Sequence, residues 1–253
     1  MDQHSLNQRL SSISTMWTLV RQANKGAVPE DAETAAMSAL IERYHGAIYR
    51  YFLSAVKDPD AADDLFQEFA LRFCRGAFRR ADPNRGRFRD FLRTAAINLI
   101  KDYRKGRRLR EQPLDSQFLE AADQPEETLA SDREFLQSWR DELLARAWQT
   151  LAKAEHEGGQ PFYSVLRFRS EHPEMNSSEM AERLSTELRL STPLTDTAVR
   201  RILQRAREKF ADLILADVAA SLESQSVEDL EQELIDLGLL SYCRSALDRR
   251  RQT

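Results

Sequence analysis

The stretch from Arg85 to Arg110, RGRFRDFLRTAAINLIKDYRKGRRLR, can gather its apolar residues on one side only as a helix. At about 3.6 residues per turn, Phe88, Phe91, Leu92, Ala95, Ala96, Leu99 and Tyr103 share one face. Arg89, Arg93, Ile97, Ile100, Lys101 and Arg104 fall largely on the other. Apolar residues recur at helical spacing along most of the chain, and strict alternation is scarce. Eight Gly and eight Pro are few for 253 residues. The expected fold is therefore all-α, with length enough for two helical domains and tails.

A helix of opposite character precedes the basic one. In DAADDLFQEFALRF, the residues Ala62, Leu65, Phe66, Phe69, Ala70 and Phe73 make a core stripe. Asp63, Asp64, Gln67, Glu68 and Leu71 lie outward. Acids in a first turn suit the helix dipole, which accounts for Asp63 and Asp64 but does not reach Glu68 or Leu71. A charged rim around an apolar residue fits a protein interface. From Arg72 to Arg110 fourteen cations face three acids, and from Glu111 to Glu142 ten acids face two cations. A formal net charge of −4 therefore does not exclude a nucleic-acid partner, because phosphates meet the local potential. The cations of the basic helix can neutralise phosphates. Ile97 and Ile100 among them suit contact with bases or sugars, and Asn98 at the border can make two hydrogen bonds to a base edge.

The chain divides into segments. Residues 1–30 read as a polar N-terminal extension with an amphipathic patch at Met16–Val20. Residues 31–110 form a first domain. Its helices are expected over Glu33–Val56, from Asp58-Pro59 to about Arg75, where Gly76 is a stop, and over Phe88–Lys105 after the turn ADPNRGR. Two prolines and a swing from basic to acidic mark a flexible acidic linker, set at 111–130 and already loosening from 106. Residues 131–216 form a second domain, with helices over Glu134–Glu155 and Phe162–Ser170. A capping box at Asn176–Glu179 opens a third, reaching about Leu190. Thr195 or Asp196 caps a fourth, reaching about Leu215. Residues 217–253 are a C-terminal extension with one last amphipathic helix, Val227–Leu237, ending at Gly238.

The third and fourth helices of the second domain have the makings of a helix-turn-helix. Met180, Ala181, Leu184 and Leu188 line one, and Val199, Ile202, Leu203, Ala206 and Phe210 the other. Thr195, Thr197, Arg200, Arg201, Gln204 and Arg205 lie at the start and outer face of the fourth. Arg and Gln there can read major-groove edges while the positive helix end meets phosphate. The connection Arg189–Thr195 is longer than the usual turn of such a motif.

Several function classes have no support. Cys74 and Cys243 are isolated thiols that suit a reduced compartment, and the four histidines have no metal-ligand spacing. No phosphate-cradling glycine loop and no nucleophile elbow occurs. No apolar run approaches membrane-spanning length, and no signal-peptide pattern opens the chain. The expectation is a soluble, cytoplasmic protein, not an enzyme, with no catalytic residue, no metal, no cofactor and no membrane partner. A free-standing helix-turn-helix regulator remains open as an alternative, its acidic helix then being scaffold alone.

DPDAADDLFQEFALRF followed by RGRFRDFLRTAAINLIKDYRKGRR resembles sigma-70 family RNA polymerase sigma factors of the extracytoplasmic-function type. The family pattern is D-A-E-D-L-x-Q-E-x-F, then R-x-F-x-x-W-L-x-x-I-A-x-N-x-x-x-D-x-x-R-x-x-x-R. TDTAVRRILQRAREKF is similar to the family's region 4 pattern, T-V-K-S-R-x-x-R-A-R-x-x-L. Phe91 stands where the family has Trp, and SSEMAERLSTELRLSTPLTD lacks the family's turn glycine. The opening SISTMWTLVRQA and the long, insert-bearing region 4 look like a subgroup with N- and C-terminal extensions. The resemblance implies a region 2 domain of three to four helices and a region 4 helix-turn-helix. It implies docking of Asp63, Asp64, Gln67, Glu68 and Leu71 on the β′ clamp helices of core RNA polymerase, with the β flap as a further polymerase contact. It assigns Asp82, Asn84, Arg85, Arg87, Arg93, Ile97, Asn98, Lys101, Arg104 and Lys105 to the promoter −10 element. It assigns Thr195, Thr197, Arg200, Arg201, Gln204 and Arg205 to the −35 element. An anti-sigma or other regulatory protein is a partner it leaves room for.

Overall fold

The computed structural model describes residues 30–74, 87–111, 125–188, 192–222 and 226–252. Every regular element among them is a helix, as the spacing of apolar residues requires. In chain order these are α1 (Glu30–Val56), α2 (Pro59–Cys74), α3 (Phe88–Glu111), α4 (Pro125–His156) and α5 (Phe162–Glu171). Then come α6 (Ser177–Glu187), α7 (Asp196–Ser221), α8 (Val227–Asp236) and α9 (Leu240–Arg251). The chain falls into two compact units, Met1–Glu142 with Ala219–Asp229, and Leu143–Val218 with Leu230–Thr253.

The first unit is built on α1. Its stripe of Tyr44, Ala47, Ile48, Tyr51 and Phe52 is buried against Ala62, Leu65 and Phe69 of α2 and Phe88, Leu92, Ala96 and Leu99 of α3. The turn from α1 to α2 is tight. The Lys57 amide closes α1 on the Leu53 carbonyl at 2.8 Å, with Lys57 at φ +56°, a conformation glycine usually supplies. Asp58 then caps α2, accepting from the Asp60 amide at 3.1 Å, and Pro59 sits at the first helical position, where no amide hydrogen is missed.

The same unit takes in the first part of α4. Trp139 is 1% exposed and stacks on Tyr44 with ring centroids 4.7 Å apart and 12° between planes. Phe135 meets Tyr51 edge-on at 5.2 Å. The Tyr51 phenol also hydrogen-bonds the Ser131 hydroxyl; burial, the largest effect, raises its pKa and that bond opposes the rise. Arg50 reaches Glu142 at 2.5 Å. The helix expected from Glu134 therefore begins nine residues earlier, at Pro125. Pro at the first position and Glu126 and Glu127 in the first turn favour that start. The basic helix, expected to stop at Lys105, runs on to Glu111. A lone Gly106 costs about 1 kcal/mol relative to Ala, and the following arginines, good helix formers, carry the helix through it. Of the expected linker, 112–124 lies outside the described residues, as do the patch Met16–Val20 and the turn holding Asp82, Asn84 and Arg85.

The second unit packs the rest of α4, α5, α6, most of α7, α9 and all but the first turn of α8. Leu143, Leu151, Val165, Met180, Leu184, Val199, Leu203, Phe210 and Ile214 form its centre, closed by Leu230, Leu234, Cys243 and Leu247. Gly158, at φ +91°, ends α4. The adjoining Gly159 amide bonds the Ala154 carbonyl so closely that a Cβ there would sit 2.3 Å from that oxygen. The capping box opening α6 is complete: Asn176 Oδ1 accepts from the Ser178 and Glu179 amides, and Glu179 accepts from the Asn176 amide. Helix α6 stops at Glu187, short of Leu190, whereas α7 runs six residues past Leu215. Helix α9 was not expected at all. Its buried stripe is Cys243, Ala246 and Leu247, and its exposed side is largely Ser and Arg.

Replacing Trp139 by Ala removes a buried indole from the junction of α1 and α4. The expected cost is about 3–5 kcal/mol, read as a lower urea midpoint for loss of helical circular dichroism. An unchanged midpoint would contradict this packing.

Candidate nucleic-acid interface

Burial of Leu65 and Phe69 turns the opposite side of α2 outward, and Asp63, Asp64 and Gln67 are exposed there. Glu68 is half-buried, and Leu71, at 48%, is the most exposed large apolar side chain among the described residues of the unit. The Asp63 carboxylate stands beside Tyr49, whose phenol pKa is raised by burial and then by that carboxylate. Arg72 donates to Glu68 at 2.7 Å and to Asp102 of α3 at 3.3 Å. The Glu68 bond is the largest cause holding its guanidinium pKa above the ordinary value, against some desolvation. Glu68 is thus both part of the acidic face and the anchor of a bridge between α2 and α3.

On α3 the exposed arc holds Asn98, Lys101, Arg104 and Lys105. Arg104 leans back to donate to the Ala55 carbonyl at 3.4 Å. Ile97 is half-buried and Ile100 is 4% exposed, so only Ile97 keeps a share of the cationic face expected of both. Arg89, read from the sequence as outward, is likewise 4% exposed. Residues 89, 93 and 100 share a flank of the helix, and α4 reaches that flank at Arg93, which lies 3.5 Å from Asp132 of α4 and 4.0 Å from Asp90 of its own helix. Arg87 is half-buried just ahead of the helix, and its carbonyl accepts from the Phe91 amide at 3.2 Å. Asp82, Asn84 and Arg85 lie outside the described residues. Asp132 was missed because its acidic stretch read as the edge of a linker. The signal that could have found it is an aromatic pair at helical spacing, Phe135 and Trp139, directly after it.

Residues 40–110 match the Sigma-70 region 2 family. The match begins within α1, takes in α2 whole and ends one residue short of the end of α3. It therefore spans both exposed faces just described. No curated protein and no solved structure matches the chain.

The second unit carries the other set of expected contacts. Thr195, Thr197, Arg200, Arg201, Gln204 and Arg205 are all exposed, over a buried side of Val199, Leu203, Ala206 and Phe210. The Thr195 hydroxyl caps α7 by accepting from the Ala198 amide at 3.2 Å. Arg200 pairs with Asp196 at 2.5 Å and Gln204 donates to Glu208 at 3.2 Å, which hold both side chains along the helix. The Leu194 amide donates to the Ser185 hydroxyl at 2.8 Å, tying the end of the long connection to α6. Among the described residues, no group of His, Cys, Asp or Glu is placed to hold a metal ion, and no helix is long and apolar enough to cross a membrane.

In α9, burial pushes the Cys243 thiol from its ordinary 9.0 up to about 12, with the Asp212 carboxylate adding to the rise. A thiol with a raised folded pKa supports folding fully below the unfolded value. That support fades as pH climbs from 9.0 toward about 12. Folded protein at pH 8 is expected to leave Cys243 unalkylated by iodoacetamide, whereas urea-unfolded protein reacts there, as peptide mass mapping would show. Equal labelling of the two states would rule out the buried thiol.

Proposed function

We propose that the chain is a sigma factor that binds core RNA polymerase and directs promoter-specific initiation. The observation that carries this reading is the region 2 match over two adjacent helices that expose opposite charge, α2 acidic around Leu71 and α3 basic around Asn98. The outer face of α2, with Asp63, Asp64, Gln67, Glu68 and Leu71, docks on the polymerase β′ clamp helices. Lys101, Arg104 and Lys105 neutralise phosphates next to the −10 element while Asn98 reads a base edge. Capture of an unstacked base would offset the few kcal/mol that unstacking costs and so favour melting. The exposed side of α7 enters the major groove at the −35 element, as the second helix of a helix-turn-helix does. Polymerase holds both contacts at high effective concentration, so neither need be tight alone. The likeness of the DPDAADDLFQEFALRF and RGRFRDFLRTAAINLIKDYRKGRR motifs supports the extracytoplasmic-function type, with the outer segments as extensions, and a regulatory protein that covers α2 or α7 would switch the factor off.

Run-off transcription by purified chain with core polymerase tests the reading. Promoter-dependent product is expected, and none on any member of a promoter library would favour a free-standing regulator. Asp63→Asn with Asp64→Asn is expected to weaken polymerase binding about tenfold, or 1.4 kcal/mol, and to leave duplex binding intact, whereas Glu68 also anchors the Arg72 bridge to α3. Asn98→Ala is expected to slow promoter opening by a factor equivalent to about 1–3 kcal/mol, with polymerase binding unchanged. Asn98 separates the two roles more cleanly than Arg104, which also bonds the Ala55 carbonyl. Loss of polymerase binding in Asn98→Ala would overturn this division of roles.

A further inference from the structure

Helix α9 forms one wall of an open groove of about 640 Å³ whose other wall is α7. Among the described residues, Arg169, Arg200 and Arg207 line it with one acid, Glu208, and Arg200 also pairs with Asp196. Arg169 is held in place by donating to the Pro173 and Met175 carbonyls in the turn between α5 and α6. The α9 wall presents three hydroxyls, Ser241, Tyr242 and Ser245. Both serines are exposed and stand four residues apart, on one side of the helix. The wall is firmly seated. Cys243 and Leu247 are wholly buried, Tyr242 meets Phe210 edge-on at 6.0 Å, and Arg249 pairs with Asp212 at 2.6 Å. The Tyr242 phenol is protonated at neutral pH and can donate. The first turn of α9 also lacks a side-chain cap, which leaves its amides without that partner.

Arginines and neutral hydroxyl donors together suit an anion with several acceptor oxygens. Continuity decides which anion. Arg200 and Gln204 belong both to the groove and to the exposed face of α7, so a strand lying in the groove is flanked by whatever that face reads. We propose that the groove holds a phosphodiester strand of the duplex engaged by α7, with Ser241, Tyr242 and Ser245 donating to its phosphates. The C-terminal helix is then part of the DNA-binding surface. This rests on the reading of α7 as a DNA-reading helix.

The test is anisotropy of a labelled random-sequence duplex with the full-length chain over a salt series, since phosphate contacts are independent of sequence. Ser241→Glu with Ser245→Glu places two acids in the groove at exposed positions, and circular dichroism checks that the fold is kept. This pair is expected to weaken binding about tenfold and to flatten the dependence of log affinity on log salt. Arg207→Ala is expected to reduce that slope by about 1. Arg201→Ala with Arg205→Ala, outside the groove, probes α7 itself. If the arginine pair weakens binding while the glutamate pair leaves it unchanged or strengthens it, α7 reads DNA and the groove proposal falls, an acidic protein segment becoming the better occupant. If the arginine pair has no effect either, the reading of α7 fails and the groove proposal falls with it.

Discussion

The face-to-face contact of Trp139 with Tyr44 sets the geometry of the first unit. It fixes the register of α4 along α1, and the polar contacts on either side follow from that register. Toward the start of α4, Ser131 meets the Tyr51 phenol and Asp132 meets Arg93. Toward its middle, Glu142 meets Arg50, passing over Gly46 so closely that a Cβ would lie 2.0 Å from its carboxylate oxygen. These ion pairs are partly exposed and individually worth little. The aromatic burial between them supplies most of the attraction and places the charged ends.

The acidic and basic faces of this unit share one core and one bridge. Leu65 and Phe69 of α2 and Leu92 and Leu99 of α3 are buried in the same interior, and Arg72 spans Glu68 and Asp102 across the outside. The spacing between the two faces is set by packed side chains rather than by a loop. A disturbance in that core would shift both faces at once, whereas a surface change such as neutralising Asp64 should act on one.

The legible parts of the fold were those with strong local chemistry. Asp58-Pro59, the Asn176–Glu179 box and the Thr195 cap each mark a helix start within a residue, because each solves a specific hydrogen-bonding problem of a helix end. Ends without such chemistry were misplaced. Gly106 did not stop α3, and the acids of Pro125–Ser131 read as solvated linker although they continue a helix whose partner aromatics come later. Helix α9 was invisible because Cys243 and Ala246 are weak contributors to an apolar stripe. Of the candidate site, outward positions on α2 and α7 were readable from periodicity. The burial of Arg89 and Ile100 was not, since the periodicity of one helix does not show which neighbours reach its flanks, as Asp132 of α4 reaches Arg93.

Arg93 shows what that cover means for binding. Asp90 and Asp132 already balance its charge within the chain. A phosphate arriving there would replace a carboxylate rather than a film of mobile salt ions. The exchange would release little ion entropy, so Arg93 would contribute geometry to a nucleic-acid contact and scarcely any sensitivity to ionic strength. Counting arginines along α3 would therefore overstate how steeply any affinity for a nucleic acid falls with salt.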